Sequence, residues 1–206
     1  MALIIRKMTR ADVGALVRLH AAVFPAYDST ALGASYLRAL YLTLATHRAT
    51  LSVVAADDGE LVAWVGGVLA YGPYYRALLR RCWVRAPFLL WAALVRKPSL
   101  LGRGIRFLGW YASIPFRRRP RTAPGAVPGA PRWANLLVIG VAPGCQRRGV
   151  GQEIMSAFHA ALKEAGFDEV RLSTFVDNDS GNAAFRKAGY ELKGVEGRVN
   201  RYAKTL

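Results

Sequence analysis

Apolar and polar positions along this chain repeat with two periods, and the switches between them mark out its elements. Ala2 to Lys7 is a short apolar run ending in charge and reads as a first strand, not a signal peptide, because no long apolar core follows the charges. Thr9-Arg10-Ala11-Asp12 has the form of a capping box with Asp in place of Glu. Val13, Leu16, Val17, His20 and Phe24 then recur at helical spacing, which predicts a helix to about Val23, stopped by Pro25. A polar and aromatic loop, Tyr27-Asp28-Ser29, leads to a second predicted helix from Ala31 to His47 with Leu37, Leu40, Tyr41 and Leu44 as its stripe. Leu51 to Ala56 reads as a strand, Asp57-Asp58-Gly59-Glu60 as a hairpin turn, and Leu61 to Tyr71 as the return strand. Gly66-Gly67 inside that strand points to a bulge or to close approach by a neighbour.

From Gly72 to Arg132 the regularity is lost. Basic and apolar clusters alternate over Tyr75 to Val95, where Arg76, Arg80 and Arg81 share a helical face and Pro87 interrupts it. The longest uncharged apolar run, Ala86 to Val95, has ten residues, too few to span a bilayer. Residues 117–131 are rich in Arg, Pro, Gly and Ala and read as a loop. Order then returns: a strand at Trp133 to Val141, a helix at Gln152 to Ala165 and a strand at Glu169 to Val176. A short helix from Asn178 to Ala188, closed by Gly189, precedes two last strands, Tyr190 to Val195 and Val199 to Thr205. Helices interleaved with strands and hairpins make this an α/β (α+β) chain.

At 206 residues, 53% of them apolar, the expectation is a single domain, 1–206, with a proper core and an insertion at 72–132. The net charge is +16, but the insertion alone holds thirteen Arg and Lys and no acid, which leaves only +3 for the rest. Such an insertion suits an anionic acceptor or, through clustered Arg with Trp and Leu, the inner surface of a membrane. Phosphate contacts with nucleic acid are the less favoured reading, and a homodimer interface or a merely solvated cover are further alternatives. Cys82 and Cys145 form neither a disulfide framework nor a metal-ligand spacing, so no metal is expected and a reducing cytoplasm is the default. Cys145 reads as a small loop residue.

The chemistry concentrates after the strand that ends at Val141. Gln146-Arg147-Arg148-Gly149-Val150-Gly151 carries the chain from that strand into a helix. The first backbone N–H groups of a helix lack intrahelical partners and sit at the positive end of its dipole. Glycines let an anion approach that backbone, and the two arginines add full charges, which together make a pyrophosphate cradle. It is neither a Walker loop, which ends Gly-Lys-Ser/Thr, nor the three-glycine dinucleotide turn. It resembles the acyl-CoA loop, Gln/Arg-x-x-Gly-x-Gly/Ala, of the GNAT superfamily of N-acetyltransferases. A second stretch, Asn178-Asp179-Ser180-Gly181-Asn182-Ala183-Ala184-Phe185-Arg186-Lys187-Ala188-Gly189-Tyr190, is similar to that family's C-terminal signature, with Gly181 in place of Ala and Phe185 in place of Tyr.

The resemblance implies a mixed central sheet of six or seven strands flanked by helices and splayed at the central strand. It implies acetyl-CoA as cosubstrate and direct transfer of its acetyl group to an amine. The loop residues, with Ile139, Gly140 and Val141 on the strand, would hold the cofactor; Asn178 would hydrogen-bond the pantetheine arm and Phe185 would pack on it. The backbone near Gly140 and Val141, where the family's strand bulges, would stabilise the thioester oxygen. An alkyl amine must first lose a proton, at a cost of roughly 4.6 kcal/mol at neutral pH. The predicted central strand holds no acid, so the candidate bases are remote: Asp28, Glu60 or His20, the last also readable as a packed core histidine. Phe185 cannot protonate the leaving thiolate, which would depart unassisted or through water. The loop and tyrosine-less signature are also compatible with a module that binds acyl-CoA without catalysis.

Overall fold

The computed structural model describes residues 3–82 and 132–206. Its elements follow in the order β1 (Ile4–Lys7), a 3-10 turn (Arg10–Asp12), α1 (Val13–Val23), α2 (Asp28–Ala31), α3 (Ala34–Thr46), β2 (Thr50–Asp57), β3 (Glu60–Val68) and α4 (Tyr71–Cys82). After the gap come β4 (Trp133–Val141), α5 (Val150–Glu164), β5 (Glu169–Phe175), α6 (Asp179–Lys187), β6 (Glu191–Glu196) and β7 (Val199–Thr205). The strands form one seven-stranded sheet in the order β1-β2-β3-β4-β5-β7-β6. All neighbours are antiparallel except β4 and β5.

Each face of the sheet buries its own core. On one side α5 lays Ile154, Phe158 and Leu162 against β2 to β5, joined by Phe185 of α6. On the other, α1, α3 and α4 bring Leu16, Leu37, Tyr41 and Tyr74 onto Val54 and Trp64. The anticipated box at Thr9 is present: the Asp12 carboxylate accepts from the Thr9 backbone N–H at 2.7 Å. It also takes a bidentate pair from Arg6 at 2.6 and 2.8 Å, which ties β1 to the helix that follows.

Three expectations are corrected. The second helix is divided: Asp28 and Ser29 belong to the one-turn α2, and Gly33 at φ 87° separates it from α3. That backbone conformation suits glycine and breaks a continuous helix. The return strand ends at Val68, not Tyr71, because Tyr71 begins α4, whose Tyr74, Leu78 and Cys82 fall on one face and enter the core. The stretch 72–82 is therefore built into the domain; the expectations for residues 83–131, including the break at Pro87 and the 117–131 loop, lie outside the described residues.

The third correction concerns the central strand. Gly140 and Val141 pair regularly with Trp64 and Ala63. The bulge lies upstream: Leu136 faces Gly67 and Val138 faces Gly66, so Leu137 is the extra residue. Gly140 answers a different need, since a Cβ there would lie 2.2 Å from the Trp64 ring. The Gly66-Gly67 pair serves both purposes foreseen for it. It sits opposite the bulge, and a Cβ on Gly67 would meet Phe158 at 2.5 Å.

Beyond the bulge, β4 and β5 part. They pair only at Trp133 to Asn135 with Glu169 to Arg171. The sheet is thus splayed at its centre, and among the described residues the β5-facing edge of β4 from Leu136 onward has no strand beside it. Among the described residues no helix is long and apolar enough to cross a membrane.

Candidate active site

The splay opens into a cavity of about 290 Å³. One wall is the parted strands, with Leu137 and Ile139 from β4 and Ser173 and Thr174 from β5; Asn178 and Phe185 close that end. The opposite wall comes from the helices: His20 and Phe24 from α1 and its end, Tyr27 and Ser29 around α2, and Tyr36, Tyr74 and Tyr75 from α3 and α4. The cavity therefore joins two unlike halves, a strand edge with hydroxyl groups and an aromatic chamber.

The Gly- and Arg-rich loop follows β4 by way of a 3-10 turn at Pro143–Cys145. Val150 and Gly151 form the first turn of α5, with Gly149 as its cap at φ 88° and Arg147 at φ 60°. Among the described residues, the N–H groups of Arg147, Arg148 and Gly149 donate to no backbone carbonyl. Both arginine side chains are exposed. The Gln146 side chain folds back, donating from Nε2 to the Val141 carbonyl at 3.1 Å, so it braces the loop against β4. Gln152 Nε2 donates to the Ala184 carbonyl at 3.0 Å and ties α5 to α6.

Asn178 caps α6. Its Oδ1 accepts from the Gly181 N–H at 3.2 Å and its Nδ2 donates to Thr174 Oγ1 at 2.8 Å, which leaves one Nδ2 hydrogen for a ligand. A Cβ at position 181 would lie 2.3 Å from Asn178 Nδ2, which explains glycine where the family signature has alanine. Behind it, buried Asn182 holds the turn together. Its Nδ2 donates to the carbonyls of Phe175, Val176 and Asn178, and its Oδ1 accepts from Asn200 Nδ2 and Tyr202 OH. Phe185 is buried with its ring edge-on to Tyr190, 5.8 Å between centroids, and faces the cavity.

Of the three candidate bases, only His20 lines the cavity. It is 3% exposed, with Nδ1 hydrogen-bonded to Tyr41 OH at 2.6 Å and Nε2 to Ser29 Oγ at 2.9 Å. Burial pushes its pKa down to about 4, so the ring is neutral at pH 7. Burial likewise raises the Tyr36 phenol to about 12 and the Tyr74 and Tyr41 phenols further. Trp64 lies 6.1 Å from both the His20 and Tyr41 rings, and its indole N–H has no partner among the described residues. Asp28 stands in α2 between two lining residues but does not itself line the cavity. Glu60 is exposed at the β2–β3 turn, on the far end of β3.

Sequence reasoning passed over Tyr36, Tyr74, Tyr75, Ser173 and Thr174. The available signal was the helical spacing of Tyr74 and Leu78 directly after a strand, obscured by Arg76 between them and Arg80 and Arg81 beyond.

The helix-capped cationic loop thus lies beyond the splayed part of the sheet. Residues 106–190 match the model of the acetyltransferase (GNAT) family, a segment that includes both the loop and the whole C-terminal signature. The chain carries a GNAT acetyltransferase segment there, and the seven-stranded sheet around it is the GNAT fold. The PaiA N-acetyltransferase of Thermoplasma acidophilum, solved in complex with coenzyme A, is similar with a TM-score of 0.62 at 14% identity over 100% of both chains. The ribosomal-protein-S18-alanine N-acetyltransferase of Escherichia coli gives 0.59 at 12% identity, over 99% of this chain and 94% of that one. The GNAT domain of S. lividans PAT gives 0.59 at 17%, over 98% and 89%. No curated protein sequence matches the chain significantly.

Proposed function

We propose that this chain is an acetyl-CoA-dependent N-acetyltransferase that moves the acetyl group directly to an amine. The observation that carries this is the parting of β4 and β5 after three residue pairs, with a cavity between them and a cationic helix-capped loop beyond. A pantetheine arm, which carries amides, fits the unpaired edge of β4 as an added strand. The diphosphate then meets the free N–H groups and arginines at Arg147 to Gly151, as in anion sites at helix N-termini. Asn178 offers its remaining hydrogen to the arm, and Phe185 packs on it.

In this reading the amine enters from the aromatic half. Its lone pair attacks the thioester carbon, the C–N bond forms, the C–S bond breaks and the thiolate leaves. The backbone at the Leu137 bulge is the donor to the developing oxyanion. His20 is the proton acceptor of choice among the three candidates, through Ser29 Oγ or a water, because it alone stands in the cavity with a neutral ring nitrogen. A thiol is acidic enough, with a reference pKa near 8.5, to leave without an acid at Phe185. No metal has a role in this reading, and the cytoplasm is its setting.

The second reading, acyl-CoA binding without turnover, is favoured by Phe185 and by the absence of a carboxylate among the residues lining the cavity. Amine-dependent release of thiol from acetyl-CoA separates the two. Release with at least one amine class supports the transferase; CoA binding without release across peptide N-termini, lysine, polyamines, amino sugars and aromatic amines would leave only the binding module.

A further inference from the structure

The acceptor half of the cavity is built without any charge to hold an ammonium group. All thirteen acidic residues of the chain lie within the described parts, and none lines the cavity. Residues 83–131 contain no Asp or Glu, so they cannot contribute one wherever they lie. Among the described residues no Arg or Lys lines the cavity either. What remains is aromatic. Phe24 and Tyr27 pack at 4.8 Å between centroids on one side, and Tyr74 and Tyr75 at 5.2 Å on another, with Leu40 and Leu78 behind them. Besides the tyrosine phenols, the polar groups on this side are Ser29 and His20, both neutral and hydrogen-bonded to each other.

Resting on the transferase reading, we infer that the acceptor is a small single-ring aromatic amine, its nitrogen on the ring and uncharged at neutral pH. A ring-borne nitrogen shares its lone pair with the ring and carries no proton at pH 7, so it needs neither a carboxylate to bind nor a strong base to react. An alkyl ammonium needs both. Aromatic walls do attract cations, but that contact stabilises the protonated, unreactive form of the amine. Deprotonating the alkyl ammonium costs roughly 4.6 kcal/mol, which the cation–π contact does not supply and in fact opposes. Size agrees: an apolar cavity of about 150 Å³ holds a benzene ring. The cavity here has about 290 Å³, room for one ring and the end of an acyl-pantetheine arm. Edge and face contacts with the tyrosines would orient the ring, and Ser29 would relay the proton released as the amide forms to His20 Nε2.

The test offers 4-methylaniline, 2-phenylethylamine and spermidine as separate acceptors with acetyl-CoA, reading thiol release from about pH 6 to 9, and measures CoA binding independently by calorimetry. The inference expects 4-methylaniline to be acetylated, with kcat/KM flat across that range. Preference for 2-phenylethylamine or spermidine, with kcat/KM rising about tenfold per pH unit, would overturn it while the transferase reading stands. Failure to bind CoA would instead remove the reading beneath. Tyr27 is 42% exposed, so Tyr27→Glu should fold. It is expected to move preference from 4-methylaniline toward 2-phenylethylamine; an unchanged preference would show that this chamber does not hold the acceptor, and would overturn the inference.

Discussion

His20 shows how one residue supports two readings. Its place on the apolar stripe of α1 marks it as core, and it is core, held by Tyr41 and walled by Phe24 and Trp64. Yet its other nitrogen reaches the cavity through Ser29. Only the separation of α2 from α3 brings Ser29 there, and no periodicity along one helix encodes that. His20→Gln is expected to lower kcat while leaving CoA affinity within about twofold, as befits a group that acts on the acceptor side. Calorimetry beside steady-state kinetics checks the pair. On the cofactor side, Arg148→Glu places an anion where the diphosphate should sit. CoA binding is expected to weaken by about tenfold to a hundredfold, the worth of one charge-assisted contact. Gly140 belongs to packing: Gly140→Ala should cost about 1–3 kcal/mol, read in a denaturant titration, because the Trp64 ring occupies the space of the new methyl group.

At the scale of elements, the turn from β5 into α6 depends on buried Asn182. Asn182→Ala strands three carbonyls and two donors at once. A loss of about 2–4 kcal/mol is expected, or roughly 5–10 °C in the melting temperature, with weakened CoA binding because Asn178 and Phe185 ride on the same helix. The elements were legible in the sequence where one pattern acts alone. Val13 to Val23, Trp133 to Val141 and the Asn178-capped helix follow from spacing, and the loop from its glycines and arginines. What was not legible depends on partners distant in sequence. The bulge at Leu137 is set by how Gly66 and Gly67 receive Leu44 and Phe158, and α4 is recognisable as core only once it lies on α3.

For the whole molecule, two histidines on opposite faces of the sheet, His20 buried and His159 half-buried, give a common response to acid. His20 and His159 are both held neutral by burial, with pKa values pushed down to about 4. Their folded values lie below the unfolded value near 6.5, so their contribution to stability is complete above about pH 6.5 and is lost as pH falls toward the folded values. Asp12 acts in the same direction lower down, because the Arg6 hydrogen bonds hold its carboxyl below the usual range. The melting temperature is thus expected to fall between about pH 6.5 and 4, and His159→Phe to flatten part of that fall. A melting temperature independent of pH in that window would contradict the assignment. The sheet parts at its centre while both outer cores stay closed, so the opening is a property of the fold and not of one loop.

The central claim is that this opening, with the loop beyond it, is an acyl-CoA site. A titration of the labelled protein with CoA, followed by backbone amide shifts, reads it residue by residue. The expected result is saturable shifts at Arg147 to Gly151 and along Leu137 to Ile139 and Thr174, the two edges of the splay. Shifts confined to other surfaces, or none at saturating CoA, would contradict the account.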